Sequence, residues 1–194
     1  FGILFAPLEA PVVTLSGWNV YRWADAVDFE RGHVYSLAMN NYWHTNFKAS
    51  QEGTATFRYV LWSYAGPQDP WQASRRAWQP YQPLVPIELP READERVPWL
   101  PPSWLSVEGG PLVVVGVKVA ETEPDLVLRL WEPRGQDAEA TLTFRLPGGK
   151  TVASAREAGI LEQPGETLPV EDGAVRVRVP AGAVYTLLVT PVLK

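Results

Sequence analysis

Alternation of apolar and polar residues with a period of two runs through much of the chain. Glu139 to Leu146 shows it most cleanly. Ala140, Leu142, Phe144 and Leu146 share one parity, while Thr141, Thr143 and Arg145 share the other. This predicts a strand with the first row turned inward. Val175-Arg176-Val177-Arg178-Val179 repeats the pattern, and Val184 to Thr190 predicts another strand. Leu112 to Val119 is almost continuously apolar, which predicts a strand buried on both sides. In Ala55 to Trp62, one row is Ala55, Phe57, Tyr59 and Leu61, and the other is Thr56, Arg58, Val60 and Trp62. That strand is expected to have one wetter face. Burying each Val, Leu or Phe contributes about 1.5–3 kcal/mol, enough for such inward rows to hold a sandwich together.

Turn residues punctuate these runs. Pro147-Gly148-Gly149, Glu171-Asp172-Gly173 and Pro180-Ala181-Gly182 stand between strands at hairpin-like spacing. One helix of a turn or two is expected at Asp69 to Trp78. There Asp69 can cap, Pro70 suits the first helical position, and Trp71, Ser74 and Trp78 share a face. Pro80, Pro83, Pro86, Pro90, Pro98, Pro101, Pro102 and Pro111 mark an extended connector, because proline cannot donate to a central strand. Its Trp99, Leu100, Trp104 and Leu105 imply that it is strapped to a neighbouring surface. The expected fold is therefore all-β, an antiparallel β-sandwich or sandwiches, with at most one short helix and a Pro-rich connector. We divide the chain into a first β region at 1–84, the connector at 85–110 and a C-terminal β-sandwich region at 111–194.

Composition narrows the function classes. The formal net charge of −5 over 194 residues, with scattered Lys and Arg, gives no electrostatic case for nucleic acid. Cysteine is absent, which excludes disulfides, thiolate metal sites and a Cys nucleophile, and fits a reducing cytoplasm. No secretory signal is visible and no apolar run is long enough to span a bilayer, so no membrane partner is expected. The chain opens on Phe1-Gly2 without an initiator Met, which reads as an excised domain or processed piece.

Candidate chemistry concentrates in Ala38 to Ala49, which holds three Asn, three aromatics, a His and a Thr without Gly or Pro. Amides beside aromatic faces suit a polyhydroxylated ligand, because Asn both donates and accepts. Buried Asn and Trp also satisfy backbone groups in β proteins, so the same mix has a structural reading. On a strand, Asn40, Tyr42, His44 and Asn46 would share one face, and Asn41, Trp43, Thr45 and Phe47 the other. The first face looks ligand-like or interface-like, and the second core-like. The two histidines, His33 and His44, stand eleven positions apart, too few and too far apart for a zinc site made here. No nucleophile elbow, phosphate loop or dinucleotide fingerprint is present.

Phe5-Ala6-Pro7-Leu8-Glu9-Ala10-Pro11, Tyr35 to Phe47 with its Asn40-Asn41-Tyr42-Trp43 core, and Phe57-Arg58-Tyr59 resemble the C-terminal region of glycoside hydrolase family 38 α-mannosidases. Leu126 to Glu132 and Ile160-Leu161-Glu162 resemble that family's last β domain. The resemblance implies a scaffold for a catalytic domain that lies earlier in a longer polypeptide and carries the nucleophile and a metal, usually zinc. It also implies a supporting place in the sugar pocket for Asn40, Asn41, Tyr42, Trp43, His44 and Asn46. Asn19 is a second candidate, although Val20 stands where many relatives have an Arg that would complete an Asn-Arg pair. Arg129 is a third, set against its pairing with Glu132 at a sheet surface. No catalytic residue, metal ligand or cofactor is expected within this chain. Two rival readings remain. One is a freestanding carbohydrate-binding module with Trp18, Trp23, Trp43, Trp71 or Trp78 stacking on sugars. The other is a structural interaction domain that docks an aromatic face and self-associates when that face is orphaned.

Overall fold

A computed structural model describes residues 1–17, 25–27, 30–39, 46, 48–83, 85–86, 103–146, 148 and 150–193. The chain divides into two compact units. Unit 1 comprises Phe1–Gln68 and Arg76–Pro83, and unit 2 comprises Asp69–Arg75 and Leu84–Lys194. The all-β expectation is met, with antiparallel sheets and, among the described residues, one short α-helix.

Unit 2 is a two-sheet sandwich. Its strands are β5 (Leu105–Gly109), β6 (Val113–Val119), β7 (Leu126–Trp131), β8 (Ala138–Phe144), β9 (Lys150–Ala158), β10 (Pro164–Leu168), β11 (Val170–Glu171), β12 (Ala174–Val179) and β13 (Val184–Leu193). One sheet has the order β10-β9-β13-β7-β6, and the other β11-β12-β8-β5. The alternation seen in the sequence forms the core between them. Leu142 pairs with Val175, Ala140 with Val177 and Ala138 with Val179, so the inward rows of β8 and β12 lie side by side. Leu128 pairs with Leu187, and Leu126 with Val189, on the facing sheet. These side chains are all buried except Leu126, which packs partly buried against the cluster. Arg176 and Arg178, on the opposite parity of β12, are exposed.

Three local features answer to particular residues. Asp172 (φ 49°) and Gly173 (φ 76°) form the two-residue loop between β11 and β12, and such a loop needs positive φ at both central positions. Of the three expected turns, this one closes a hairpin. Pro180–Gly182 instead carries the chain from one sheet to the other, and so does the segment around Gly148. Pro191 sits in β13 where the register against β9 slips between Thr190 and Pro191, an irregularity that accommodates a residue without an N–H.

Leu112 to Val119 departs from expectation. β6 is the edge of its sheet, so Val117 is 46% and Val119 63% exposed despite the apolar sequence. Within the connector as drawn from sequence, Leu105–Gly109 is strand β5, paired with β8 from Leu105–Phe144 to Gly109–Ala140. The interval 87–102 lies outside the described residues.

Among its described residues, unit 1 contains two separate strand pairs. β1 (Gly2–Pro7) runs antiparallel to β4 (Tyr59–Tyr64), and β2 (Val13–Leu15) to β3 (Val34–Ser36). The strand expected from Ala55 begins only at Tyr59, where pairing with Pro7 begins. Leu61 is exposed and Val60 and Trp62 are part-buried, so the strand has one wetter face and the row of Val60 and Trp62 is the drier one. The expected helix is α1 (Pro70–Trp78), continued by a 3-10 turn at Gln79–Tyr81. Asp69 Oδ1 accepts the Trp71 N–H at 3.2 Å, and this is the cap that the sequence promised. The division between units runs through α1, after Arg75.

Candidate functional site

Of the candidate sugar-contacting residues, Asn19, Asn40, Asn41, Tyr42, Trp43 and His44 lie outside the described residues. Asn46 is described and exposed, at a bend. The approach to the segment is defined. β3 ends at Ser36, the Leu37 N–H donates to the Val12 carbonyl at 3.0 Å, and Met39 is exposed. His33 lies edge-on to Tyr35 with ring centroids 6.2 Å apart, and its backbone carbonyl accepts the Ser16 N–H. Ser16 adopts φ 63°, which few non-glycine residues tolerate. Its hydroxyl donates to the Arg31 carbonyl at 2.9 Å and accepts the Arg31 N–H at 3.2 Å, tying the ends of this loop together.

The segments that carried the family resemblance meet in space within each unit. In unit 1, the Glu9 carboxylate receives the Arg58 backbone N–H and Nε, each at 2.6 Å, joining Phe5–Pro11 to Phe57–Tyr59. The Arg58 N–H and guanidinium hold the Glu9 carboxyl below its usual range against a smaller opposing effect of desolvation. Phe5 stacks on Tyr59 at 5.6 Å, and the Tyr59 and Ser36 hydroxyls are 3.2 Å apart. The Tyr81 hydroxyl donates to the Pro7 carbonyl.

In unit 2, Arg129 joins Leu126–Glu132 to Ile160–Glu162. Its Nη2 donates to the Ile160 carbonyl at 3.1 Å and lies 3.5 Å from Glu162 Oε1. Glu162 also receives Lys118 Nζ at 2.7 Å and the Glu121 N–H at 3.0 Å. The Lys118 ammonium, followed by that N–H, lowers the Glu162 pKa. Lys118 in turn binds Glu121 at 2.6 Å. The Arg129–Glu132 pairing expected from sequence is not formed. Residues three apart on a strand point to opposite faces, and Glu132 is buried where backbone groups claim it. The Tyr185 phenol donates to Glu157 at 2.7 Å, and burial, then that carboxylate, push its pKa well up.

The outer face of β5, β8 and β12 holds a shallow depression of about 460 Å³, lined by Glu108, Glu139, Thr141, Arg176 and Arg178 with intervening residues. No aromatic ring lines it, so it offers no stacking platform for a sugar. Among the described residues, no three His, Asp or Glu side chains converge as metal ligands would. Trp71, one of the aromatics weighed as a sugar platform, has the Arg75 guanidinium 5.0 Å and that of Arg134 5.9 Å from its ring centroid. Trp78 meets Tyr81 edge-on at 6.2 Å. The residue that sequence reasoning underrated is Glu132. The signal available was a carboxylate at the end of an apolar strand, followed by Pro133-Arg134-Gly135.

Unit 2 is thus an antiparallel two-sheet β-sandwich whose polar residues secure its own loops and hairpins. Residues 112–186 match the family described as Glycosyl hydrolases family 38 C-terminal beta sandwich domain. Over that stretch the resemblance read from the sequence holds, and the chain carries a domain associated with glycoside hydrolase family 38. No curated protein matches the chain. Among the described residues no helix is long and apolar enough to cross a membrane.

Proposed function

We propose that this chain is the C-terminal β portion of a family 38 α-mannosidase-like hydrolase, scaffolding its catalytic domain without supplying catalytic residues. The observation that carries this reading is the family match over residues 112–186, on a sandwich whose Glu162, Glu132 and Asp125 carboxylates are engaged with cations and backbone groups. A retaining glycosidase needs two carboxylates about 5–5.5 Å apart, free to act as nucleophile and acid. Glu132, Glu162 and Asp125 are instead each held by donors of their own fold. The catalytic domain, with its zinc, is the expected partner. The segment Asn40–Asn46 together with Asn19 would help wall the sugar pocket. The setting that fits a cysteine-free chain is the cytoplasm.

A freestanding carbohydrate-binding module is less well supported, because the Trp71 ring is accompanied by Arg75 and Arg134. The test is direct. The purified chain, with and without zinc, should not hydrolyse aryl α-mannosides, and calorimetry with mannose oligosaccharides should show no binding. Turnover by the zinc-loaded chain would sink the scaffold reading, and sugar binding by the isolated chain would favour the module. An upstream coding region rich in His and Asp, in frame with Phe1, is the context the proposal requires.

A further inference from the structure

Glu132 follows β7 directly, and its carboxylate is withdrawn completely from solvent. A buried carboxylate is tolerated when its oxygens are satisfied, and here four backbone N–H groups satisfy them. Oε1 accepts from Arg134 at 2.8 Å, while Oε2 accepts from Gly135 at 2.8 Å, Gln136 at 3.1 Å and Gly182 at 3.0 Å. Three of these donors belong to the loop between β7 and β8, and the fourth to the turn before β13. The side chain therefore imposes the loop's path.

The gathered loop presents Arg134. Its Nε and Nη2 form a fork with Asp69 Oδ1 and Oδ2 at 2.8 and 2.6 Å. Asp69 is the residue that caps α1 through the Trp71 N–H, and it accepts the Ala73 N–H through its own carbonyl. The Trp71 indole N–H donates to the Leu112 carbonyl at 3.0 Å, seating the same helical turn on a core residue of the sandwich. Asp69–Arg75 accordingly groups with unit 2, although its sequence neighbours Gln68 and Arg76 group with unit 1.

We propose that Glu132, the 133–136 loop and Arg134 form a latch that holds the first turns of α1 on the sandwich, with Glu132 as its positioning residue. The Arg134 fork is planar and rigid, and it engages both Asp69 oxygens only when its backbone is set correctly. Four converging N–H groups on one buried carboxylate set that backbone. The Arg75–Trp71 and Trp71–Leu112 contacts do not involve Arg134, which meets α1 through its fork on Asp69 and, more loosely, over the Trp71 ring at 5.9 Å. The latch thus places control of the α1 anchor in a residue distant in sequence and out of contact with solvent.

Residue-resolved amide exchange on the whole chain separates this from ordinary packing. Arg134→Met should speed exchange at Trp71 and Ala73 by about tenfold or more, the loss expected for a hydrogen bond to a charged group. Gly135, Gln136 and Gly182 should keep their protection in that variant. Glu132→Gln places an amide NH₂ among four N–H donors, so it should release both sets while Leu142 and Val177 in the core keep wild-type rates. The latch is overturned if Glu132→Gln frees Gly135, Gln136 and Gly182 yet leaves Trp71 and Ala73 unchanged. It is equally overturned if Leu142 and Val177 accelerate by the same factor as the helix. Should Glu132→Gln fail to fold, Arg134→Met decides alone, and unchanged rates at Trp71 and Ala73 reject the proposal.

Discussion

In unit 2, Leu128, Leu130, Leu142, Leu187 and Val189 are sealed between sheets of five and four strands. In unit 1, the described strands form two separate pairs, and Ala6 and Ala10 are the buried apolar residues among those described. Ile3, at 62% exposure, and Leu61, at 63%, stand on the unit 1 ribbon formed by β1 and β4. The two regions have comparable β-forming sequences, so propensity does not separate them. What separates them is layering. A sheet face is dried only by a second layer, and a two-stranded ribbon in water is marginal by itself. Unit 2 contains both layers of its core, whereas the described part of unit 1 spends its polar side chains on holding ribbons and loops in register.

That contrast can be broken most sharply in the core. Leu142→Ala should cost about 2–5 kcal/mol through lost burial and a residual cavity, while Leu61→Ala should stay within about 0.5 kcal/mol. Chemical denaturation of the chain measures both, and equal losses would abolish the distinction between the units. A smaller effect is expected at the ion pairs. Arg156 covers Asp125, whose side chain is 3% exposed, at 2.6 Å. Arg156→Met should cost about 3 kcal/mol because it strands a buried carboxylate. Arg58→Met removes a pair whose Arg is 67% exposed and should change the midpoint little.

Acid sharpens the comparison in another way. The carboxyl groups of Glu132, Glu162 and Asp137 all have pKa values below their ordinary ones. For Glu132, burial acts upward, but the N–H groups of Gly182, Arg134, Gln136 and Gly135 together win. Groups depressed in the folded state add stability that is present above the unfolded pKa, near 4.5 for Glu, and is lost as pH falls through the folded value. The Gly135, Gln136 and Gly182 amides should therefore lose exchange protection as pH drops below that range, and Glu132→Gln should flatten the dependence. A slope unchanged by that substitution would show that Glu132 is not a source of it. The smallest change is expected at the hairpin loop. Gly173→Ala forces a Cβ into a position with φ 76° and 3.2 Å from the Phe144 carbonyl, which should cost about 1 kcal/mol in the same denaturation assay.

Much of unit 2 was legible because its signals are local. The parity of Ala140, Leu142 and Phe144 against Thr141 and Thr143 follows from strand geometry, and Asp172-Gly173 names its own turn. The Asp69 cap and Pro70 at the first helical position likewise marked where α1 starts. Of the candidate site only Asn46 falls among the described residues, and the sequence supplied its chemistry through residue type rather than geometry. The Arg129–Glu132 reading failed because proximity along a strand does not put two side chains on one face.

By itself, then, the sequence determined which residues turn inward on β8 and β12, where the hairpin and helix begin, and the family likeness of residues 112–186, since these depend on short-range periodicity and residue identity. Only the tertiary structure decided that the apolar run Val113–Val119 is an edge, that Arg129 reaches Glu162, and that Glu132 draws donors from a loop beside it and a turn far along the chain. The physical reason is that strand order and loop closure are set by long-range pairing. Periodicity fixes a strand's two faces but says nothing about its neighbours.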